Sequence, residues 1–321
     1  MSKNVALVLS SGGPRGFAYM GAIRELESRG YKITSIAGTS MGSLIGGIYA
    51  AGKLDEAEKW FLSLDAWKVF KLLDLSVGRN HMVKGDKIIK SLEQVVPDVN
   101  IEDLAIPYCA VATDLYTGDE VVFREGSLFK AIRASISIPG LLRPVRYGLR
   151  TMVDGGLVNS IPLNRVQRRR GDILIGFNVN DIDKEKIRER LEQTEALRER
   201  RAGRRGAISE AIDTVRHTDG NFLDKIKVAG QEGSEMLEEI RRDRDYEELD
   251  LGGNYYSLLD RTFDLMNHRN TILSIAATPP DVLVNMPFDA YGAIADYAKV
   301  REISDLGRSL MAKALDEYEA R

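Results

Sequence analysis

Cysteine occurs once in the 321 residues, at Cys109, so no disulfide can form within the chain. That excludes a stapled secreted scaffold and fits a reducing compartment. Cys109 falls in the apolar run Tyr108-Cys109-Ala110-Val111-Ala112, which reads as the setting of a core thiol rather than a nucleophile. Histidine is nearly as scarce. His81, His217 and His268 each stand among polar neighbours without a motif. Charge of one sign is also missing: the net charge is −3, so no electrostatic footprint calls for a nucleic-acid partner. No run approaches the roughly 20 apolar residues of a membrane span. The N-terminal run Val5-Ala6-Leu7-Val8-Leu9 is also shorter than the roughly seven residues usual in a signal-peptide core. The expectation is a cytoplasmic protein whose contact with a membrane, at its inner face, is at most peripheral.

What is present is 44% hydrophobic and 29% charged residues, a globular mix large enough for one large α/β domain or two modest ones. The most informative stretch is Gly38-Thr39-Ser40-Met41-Gly42, which reads Gly-x-Ser-x-Gly. Ile33 to Ala37 before it is β-branched and apolar, and Ser43 to Ala51 after it suits an apolar helix. A serine on such a strand-to-helix turn presents its hydroxyl to a substrate. Glycine at Gly38 and Gly42 fits because a Cβ beside that turn would meet neighbouring backbone. A glycine-rich turn with an ordinary helix N-cap serine has the same local pattern. Context must separate the two.

Around the elbow the chain alternates strands and helices. Val5 to Ser10 reads as a buried strand, Gly12 to Gly16 as a turn, and Phe17 to Arg29 as a helix closed by Gly30. Two strand-turn-helix units in about fifty residues predict a mostly parallel sheet covered by helices. Residues 53 to 104 look helical. Tyr108 to Thr113, Glu120 to Phe123, Thr151 to Val153 and Asp172 to Asn180 read as strands, and Phe129 to Ser137 as a short helix. From 181 to 250 the chain is dense in charge of both signs, the pattern of solvated helices, with Arg198 to Arg205 its most basic part. Residues 254 to 277 return to an amphipathic helical pattern, Asp281 to Val284 to a strand, and a final helix follows.

A serine nucleophile needs a base and donors for an oxyanion. Gly12-Gly13-Pro14-Arg15-Gly16, directly after the first strand, supplies backbone N–H groups where a helix begins, joined by the N–H of Met41. This string lacks the Gly-x-Gly-x-x-Gly spacing of a dinucleotide loop. Gly47 to Leu54 mimics a phosphate-binding loop, but it puts Leu54 where a hydroxyl is required and lies within a helix. Two kinds of base remain. A Ser…Asp…His order permits Ser40, Asp154 and then His217 or His268. Asp154 by itself, in Asp154-Gly155-Gly156 after a short strand, is the other, and a plain Asp-Gly turn has the same appearance.

Taken together these segments resemble the patatin-like phospholipase family. The motifs are Gly12-Gly13-Pro14-Arg15-Gly16, Gly38-Thr39-Ser40-Met41-Gly42 and Asp154-Gly155-Gly156. Ala112-Thr113-Asp114-Leu115 with Thr117-Gly118, Ala134-Ser135 through Ile138-Pro139 to Pro144-Val145, and Asn159 with Pro162 also match. The resemblance covers residues 4 to 180, fits the C-terminal strand and helix loosely, and gives no place to 181 to 250. It implies one patatin-like domain over 1–321, a three-layer α/β fold with a mostly parallel sheet and a charged helical insertion or cap at 181–250. Residues 254–321 would complete its core.

The resemblance also implies a catalytic dyad. Ser40 would be the nucleophile and Asp154 the base, with Gly155 and Gly156 completing the proton-acceptor motif. Gly12, Gly13, Arg15 and Met41 would form the oxyanion hole, and an acyl-enzyme would form on Ser40. No metal or cofactor is implied. The implied substrate is a phospholipid, lysophospholipid or related lipid ester. A thioesterase or general carboxylesterase with the same site, and a non-catalytic lipid-binding scaffold, are the alternatives. Asp114 is expected to orient the loop after its strand, and Ser135 and Ser137 to serve packing and turns.

Overall fold

The computed structural model describes residues 3–64, 68, 86–196, 198–200, 255–288, 290–291 and 294–321. His81, His217 and the residues 201–250 of the charged segment lie outside the described residues. Among the described residues eight strands form one sheet: β1 (Asn4–Leu9), β2 (Lys32–Thr39), β3 (Tyr108–Asp114), β4 (Glu120–Phe123), β5 (Val145–Tyr147), β6 (Arg150–Asp154), β7 (Ile173–Asp181) and β8 (Val282–Pro287). The strands β3, β2, β1, β7 and β8 pair in that order and all in parallel. The near-continuous apolar runs of β1 and β7 reflect this position, since a parallel strand is covered on both faces.

Seven helices are labelled α1 (Ala18–Ser28), α2 (Met41–Ala50), α3 (Leu54–Leu62), α4 (Asp86–Glu93), α5 (Leu128–Ser135), α6 (Tyr255–Ala277) and α7 (Val300–Glu319). Strand β1 shows how they layer. Val5, Leu7 and Leu9 point into the larger core, shared with α1, α2 and α7 residues such as Ile23, Ile45 and Met311. Ala6 and Val8 point the other way, into a thinner core with Cys109, Ile161 and Leu174, against which Ile275 of α6 packs. The expected three-layer α/β architecture is therefore present.

Helices α1 and α7 cross with their backbones nearly touching. A Cβ at Gly21 would overlap the carbonyl of Ser304, and one at Gly307 would overlap the backbone of Ala18. The inner face of α7 is Val300, Ile303, Ser304, Gly307, Met311 and Leu315. The apolar pattern predicts Leu306 and Leu310 there; both are only partly buried, because Gly307 takes the point of closest approach. Strand β5 has no apolar signature, with Arg146 and Tyr147 exposed; it exists through its hairpin pairing to β6.

Around β3 the pairing decides where the site lies. Ala110 and Val111 pair with β2 on one edge and β4 on the other, while Ala112 and Thr113 pair with β4 and β6. A strand has two edges, so β6 continues along the edge that β2 occupies. Thr39 stands opposite Val111 and Asp154 opposite Ala112, the next residue of β3. Two segments 115 residues apart in sequence thus meet end to end.

The chain divides into two compact units, Met1–Ile182 with Leu259–Arg321, and Asp183–Leu258. In the second, 184–196 and 198–200 are helical and mostly exposed. Among the described residues no helix is long and apolar enough to cross a membrane.

Candidate active site

Ser40 follows β2 directly and opens α2. It is the one non-glycine residue with positive φ among the described residues, at φ 54° and ψ −122°. Such backbone costs about 1–3 kcal/mol and persists only where surroundings over-determine it. Here they do. A Cβ at Gly38 would overlap the carbonyl of Gly42, and a Cβ at Gly42 would overlap that of Leu9 at the end of β1. The Ser40 N–H donates to Ser135 Oγ at 2.9 Å, and that hydroxyl donates to the carbonyl of Val111 at 2.6 Å. Ser43 Oγ donates to the Ser40 carbonyl at 2.7 Å. Ser135 is thus more than the packing residue its place near a helix end suggests. It ties the elbow to β3.

Asp154 ends β6 and is fully buried. Its Oδ1 accepts the Gly156 N–H at 2.8 Å, while Oδ2 has no hydrogen-bond partner among the described residues. Burial pushes the carboxyl up to about 7, against the Ser40 hydroxyl and the Gly156 N–H, which draw it down. The Ser40 hydroxyl is therefore near enough to act on the carboxyl, although no bond of standard length closes on Oδ2. Contacts of that kind are often long in a free enzyme. Gly155 packs on the Val111 carbonyl and Gly156 on Asn267, and neither position leaves room for a side chain. The Asp154 backbone is held as well: its N–H donates to Ser137 O at 2.9 Å, and its carbonyl accepts from Thr113 Oγ1 at 3.0 Å.

The glycine loop runs from β1 into a 3-10 helix at Gly13–Phe17. A Cβ on Gly12 would overlap Val179, and Gly13 sits at φ +54°, where side chains are strained. A Cβ on Gly16 would overlap Met41, so the loop lies against the elbow. Gly13 and Met41 each open a helix, and such N–H groups have no acceptor within their helix. Arg15 is buried. Its Nη1 donates to the Phe288 carbonyl and its Nη2 to Asp264 at 2.9 Å, leaving Nε without a hydrogen-bond partner among the described residues.

An apolar cavity opens beside Ser40, walled by Phe17, Met41, Leu44, Phe61, Ile136 and Leu142 among others. A larger cavity of about 750 Å³ lies at the far end of α2 between Glu27, Tyr49, Asp98 and Asp103, and its lining holds no serine, cysteine, histidine or lysine. The described histidine, His268, places Nδ1 2.8 Å from the backbone carbonyl of Asn180, so its ring is engaged with main chain. Cys109 is buried and its thiol pushed up to about 11, the state of an inert core residue. Asp114 does orient its loop: Oδ1 accepts the Tyr116 N–H at 3.1 Å, and its carbonyl accepts from Gly118. Among the described residues no three His, Cys, Asp or Glu side chains gather as a metal would require.

A serine on a strained turn between a parallel strand and the helix it opens is the arrangement of the nucleophile elbow of α/β hydrolases. Comparison with known proteins narrows that. The family model for patatin-like phospholipase matches residues 7–166. An uncharacterized NTE family protein of Mycobacterium tuberculosis is 33% identical over 341 aligned positions, covering 99% of this chain and 93% of that protein. Patatin-like phospholipase domain-containing protein 6 of Mus musculus is 32% identical over 187 positions, covering 56% of this chain and 14% of that protein. Among solved structures, VipD from Legionella pneumophila aligns with a TM-score of 0.44 at 13% identity, over 98% of this chain and 67% of that one. The chain belongs to the patatin-like phospholipase family and is a lipid acyl hydrolase.

Proposed function

We propose that the enzyme hydrolyses phospholipid, lysophospholipid or related lipid esters through a dyad of Ser40 and Asp154. One observation carries the reading: a fully buried carboxyl, pushed up to about 7, faces the hydroxyl of a serine on a strained elbow. A base matched to neutral pH is what proton transfer from serine requires. Ser40 Oγ attacks the acyl carbonyl and its proton passes to Asp154. The oxyanion is received by N–H groups of Gly12, Gly13 and Met41, while Arg15 holds the glycine loop and adds positive potential. The Ser40 N–H takes no part, since it is committed to Ser135. Collapse of the intermediate releases the alcohol, which takes the proton from Asp154. Water then attacks the acyl-enzyme carbonyl as Asp154 takes its proton; the bond to Ser40 Oγ breaks, the proton returns to Oγ, and the acid leaves. The apolar cavity with Ser40 in its wall suits an acyl chain. A buried single cysteine favours a reducing compartment as the place of action.

The test is hydrolysis of a panel of phospholipids, lysophospholipids, p-nitrophenyl esters and acyl-CoA by the wild type, Ser40→Ala and Asp154→Asn. Both variants are expected to lose turnover, and a fluorophosphonate probe to label only chains that carry Ser40. Labelling that persists in Ser40→Ala would refute the nucleophile. A preference for acyl-CoA would move the substrate to thioesters.

A further inference from the structure

Helix α6 is built inside out. Five of its large apolar residues, Leu258, Leu265, Met266, Ile272 and Leu273, are exposed. Asp264, Asn267, Asn270, Thr271 and Ser274 recur every three or four residues, so they share a face. Most of the hydrogen bonds made from this face go to the glycine loop and to the turn after Asp154. Asp264 accepts from Arg15 Nη2 at 2.9 Å. Asn267 Oδ1 accepts from Ser11 Oγ at 3.2 Å. Asn270 Nδ2 donates to the carbonyls of Gly156 at 3.2 Å and Leu157 at 2.9 Å. Ser274 Oγ lies 3.4 Å from Asn159 Oδ1.

These contacts join two segments that the chain does not join. Ser11 to Gly16 carries the proposed oxyanion donors, and Asp154 to Leu157 carries the proposed base. They converge on one point: a Cβ at Gly156 would overlap Asn267 Oδ1, and would lie 3.0 Å from Asp154 Oδ1 and 3.1 Å from Ser11 Oγ. The spacing between donors and base decides whether one tetrahedral intermediate can meet both. A side chain that grips both segments sets that spacing. The Gly156 N–H that stabilises the Asp154 carboxylate belongs to the turn whose carbonyl Asn270 holds.

We infer that α6 is a positioning element of the active site, with Asn267 and Asn270 fixing the Asp154–Leu157 turn against the glycine loop and Asp264 anchoring that loop through Arg15. The helix lies outside the segment matched by the family model, 7–166. The inference rests on the Ser40–Asp154 dyad and adds a third structural component to it.

The test uses the full chain and a soluble ester, with turnover counted per site titrated by a fluorophosphonate. Asn270→Leu keeps the branched heavy-atom outline and removes both donations. Its kcat is expected to fall about 10- to 100-fold with KM nearly unchanged, as for a small misplacement of reacting groups. The acid limb of kcat/KM should move to higher pH, because a loosened Gly156 N–H stabilises the carboxylate less. Asp264→Asn, which keeps an acceptor for Arg15, should retain most turnover, whereas Asp264→Leu should not. If Asn270→Leu only melts earlier, with wild-type turnover per site and an unmoved acid limb, α6 is scaffold and the inference is overturned. Should that variant not fold, Asn267→Ala is read in the same way. A Ser40→Ala chain that still turns over would instead remove the dyad, and the inference with it.

Discussion

Ser135 shows how much of the site rests on a single hydroxyl. It accepts the N–H of Ser40 and donates to Val111 O, so it sets the elbow relative to β3. Ser135→Ala leaves the Ser40 N–H without this acceptor in a buried place. An unpaired buried group costs about 1–3 kcal/mol. The variant is expected to lose stability by that amount in urea titration and to acylate more slowly in stopped-flow with a p-nitrophenyl ester. Wild-type acylation would mean that the glycine packing alone holds the elbow. Nothing in the sequence distinguishes Ser135 from Ser137, since each is a small polar residue near a helix end. Yet Ser137 Oγ turns to the backbone of Arg133 and takes no part in the elbow. The elbow glycines were legible, because the close approach they permit follows from the motif itself.

At the scale of elements, sequence pattern placed most strands and helices well. Apolar runs of the parallel strands and the glycine stop of α1 are local signals. Gly52, which the pattern placed within a helix, instead follows the end of α2 at φ 67°. The pattern also failed where an element owes its form to a partner. Strand β5 forms because β6 lies beside it. Helix α6 has an amphipathic pattern, but the pattern cannot say that its polar side faces inward, since that depends on the loops it meets. The crossing of α1 and α7 is another such case. In an isolated helix, replacing Gly21 or Gly307 by Ala would be favourable by about 1 kcal/mol. Here the added methyl would overlap backbone of the other helix, which cannot rotate aside. Overpacking of that kind costs about 1–3 kcal/mol, so it should win. Both Gly21→Ala and Gly307→Ala are expected to lower the midpoint of chemical denaturation. A raised midpoint in either would show that the helices shift apart freely.

For the molecule as a whole, the proposed dyad makes Asp154 a link between activity and stability. Its carboxyl lies at about 7 in the folded chain and near 3.8 otherwise. Between those values the folded state keeps a proton that the unfolded state has lost. The carboxyl's contribution to stability is therefore greatest below about 4 and is lost as pH rises from there through about 7. Asp154→Asn removes this dependence and keeps an oxygen that can accept the Gly156 N–H. It should stabilise the fold at pH 8 by up to about 4 kcal/mol, and by less at pH 5. On the proposed dyad, turnover runs the opposite way, because Asp154 as base must be ionised. The acid limb of kcat/KM should lie near pH 7 and vanish with activity in Asp154→Asn. Thermal melts of both proteins across pH 4–9 test the first part, and a pH–rate profile the second. Equal melting of the two proteins at pH 8 would mean that the buried carboxyl costs nothing.

The sequence alone determined the kind of chemistry and the class of fold. A serine between glycines after a β-branched run, a glycine loop after the first strand and a later Asp-Gly-Gly are short-range patterns, and short-range sterics make each what it is. Only the tertiary structure decided that they meet. The sheet register sets Asp154 beside the end of β2 along one edge of β3, although the two segments lie 115 residues apart. Burial there, which no local pattern encodes, brings the carboxyl up to about 7. The inward polar face of α6 is likewise a property of packing, because a side chain's partner is chosen by the fold and not by its neighbours in the chain.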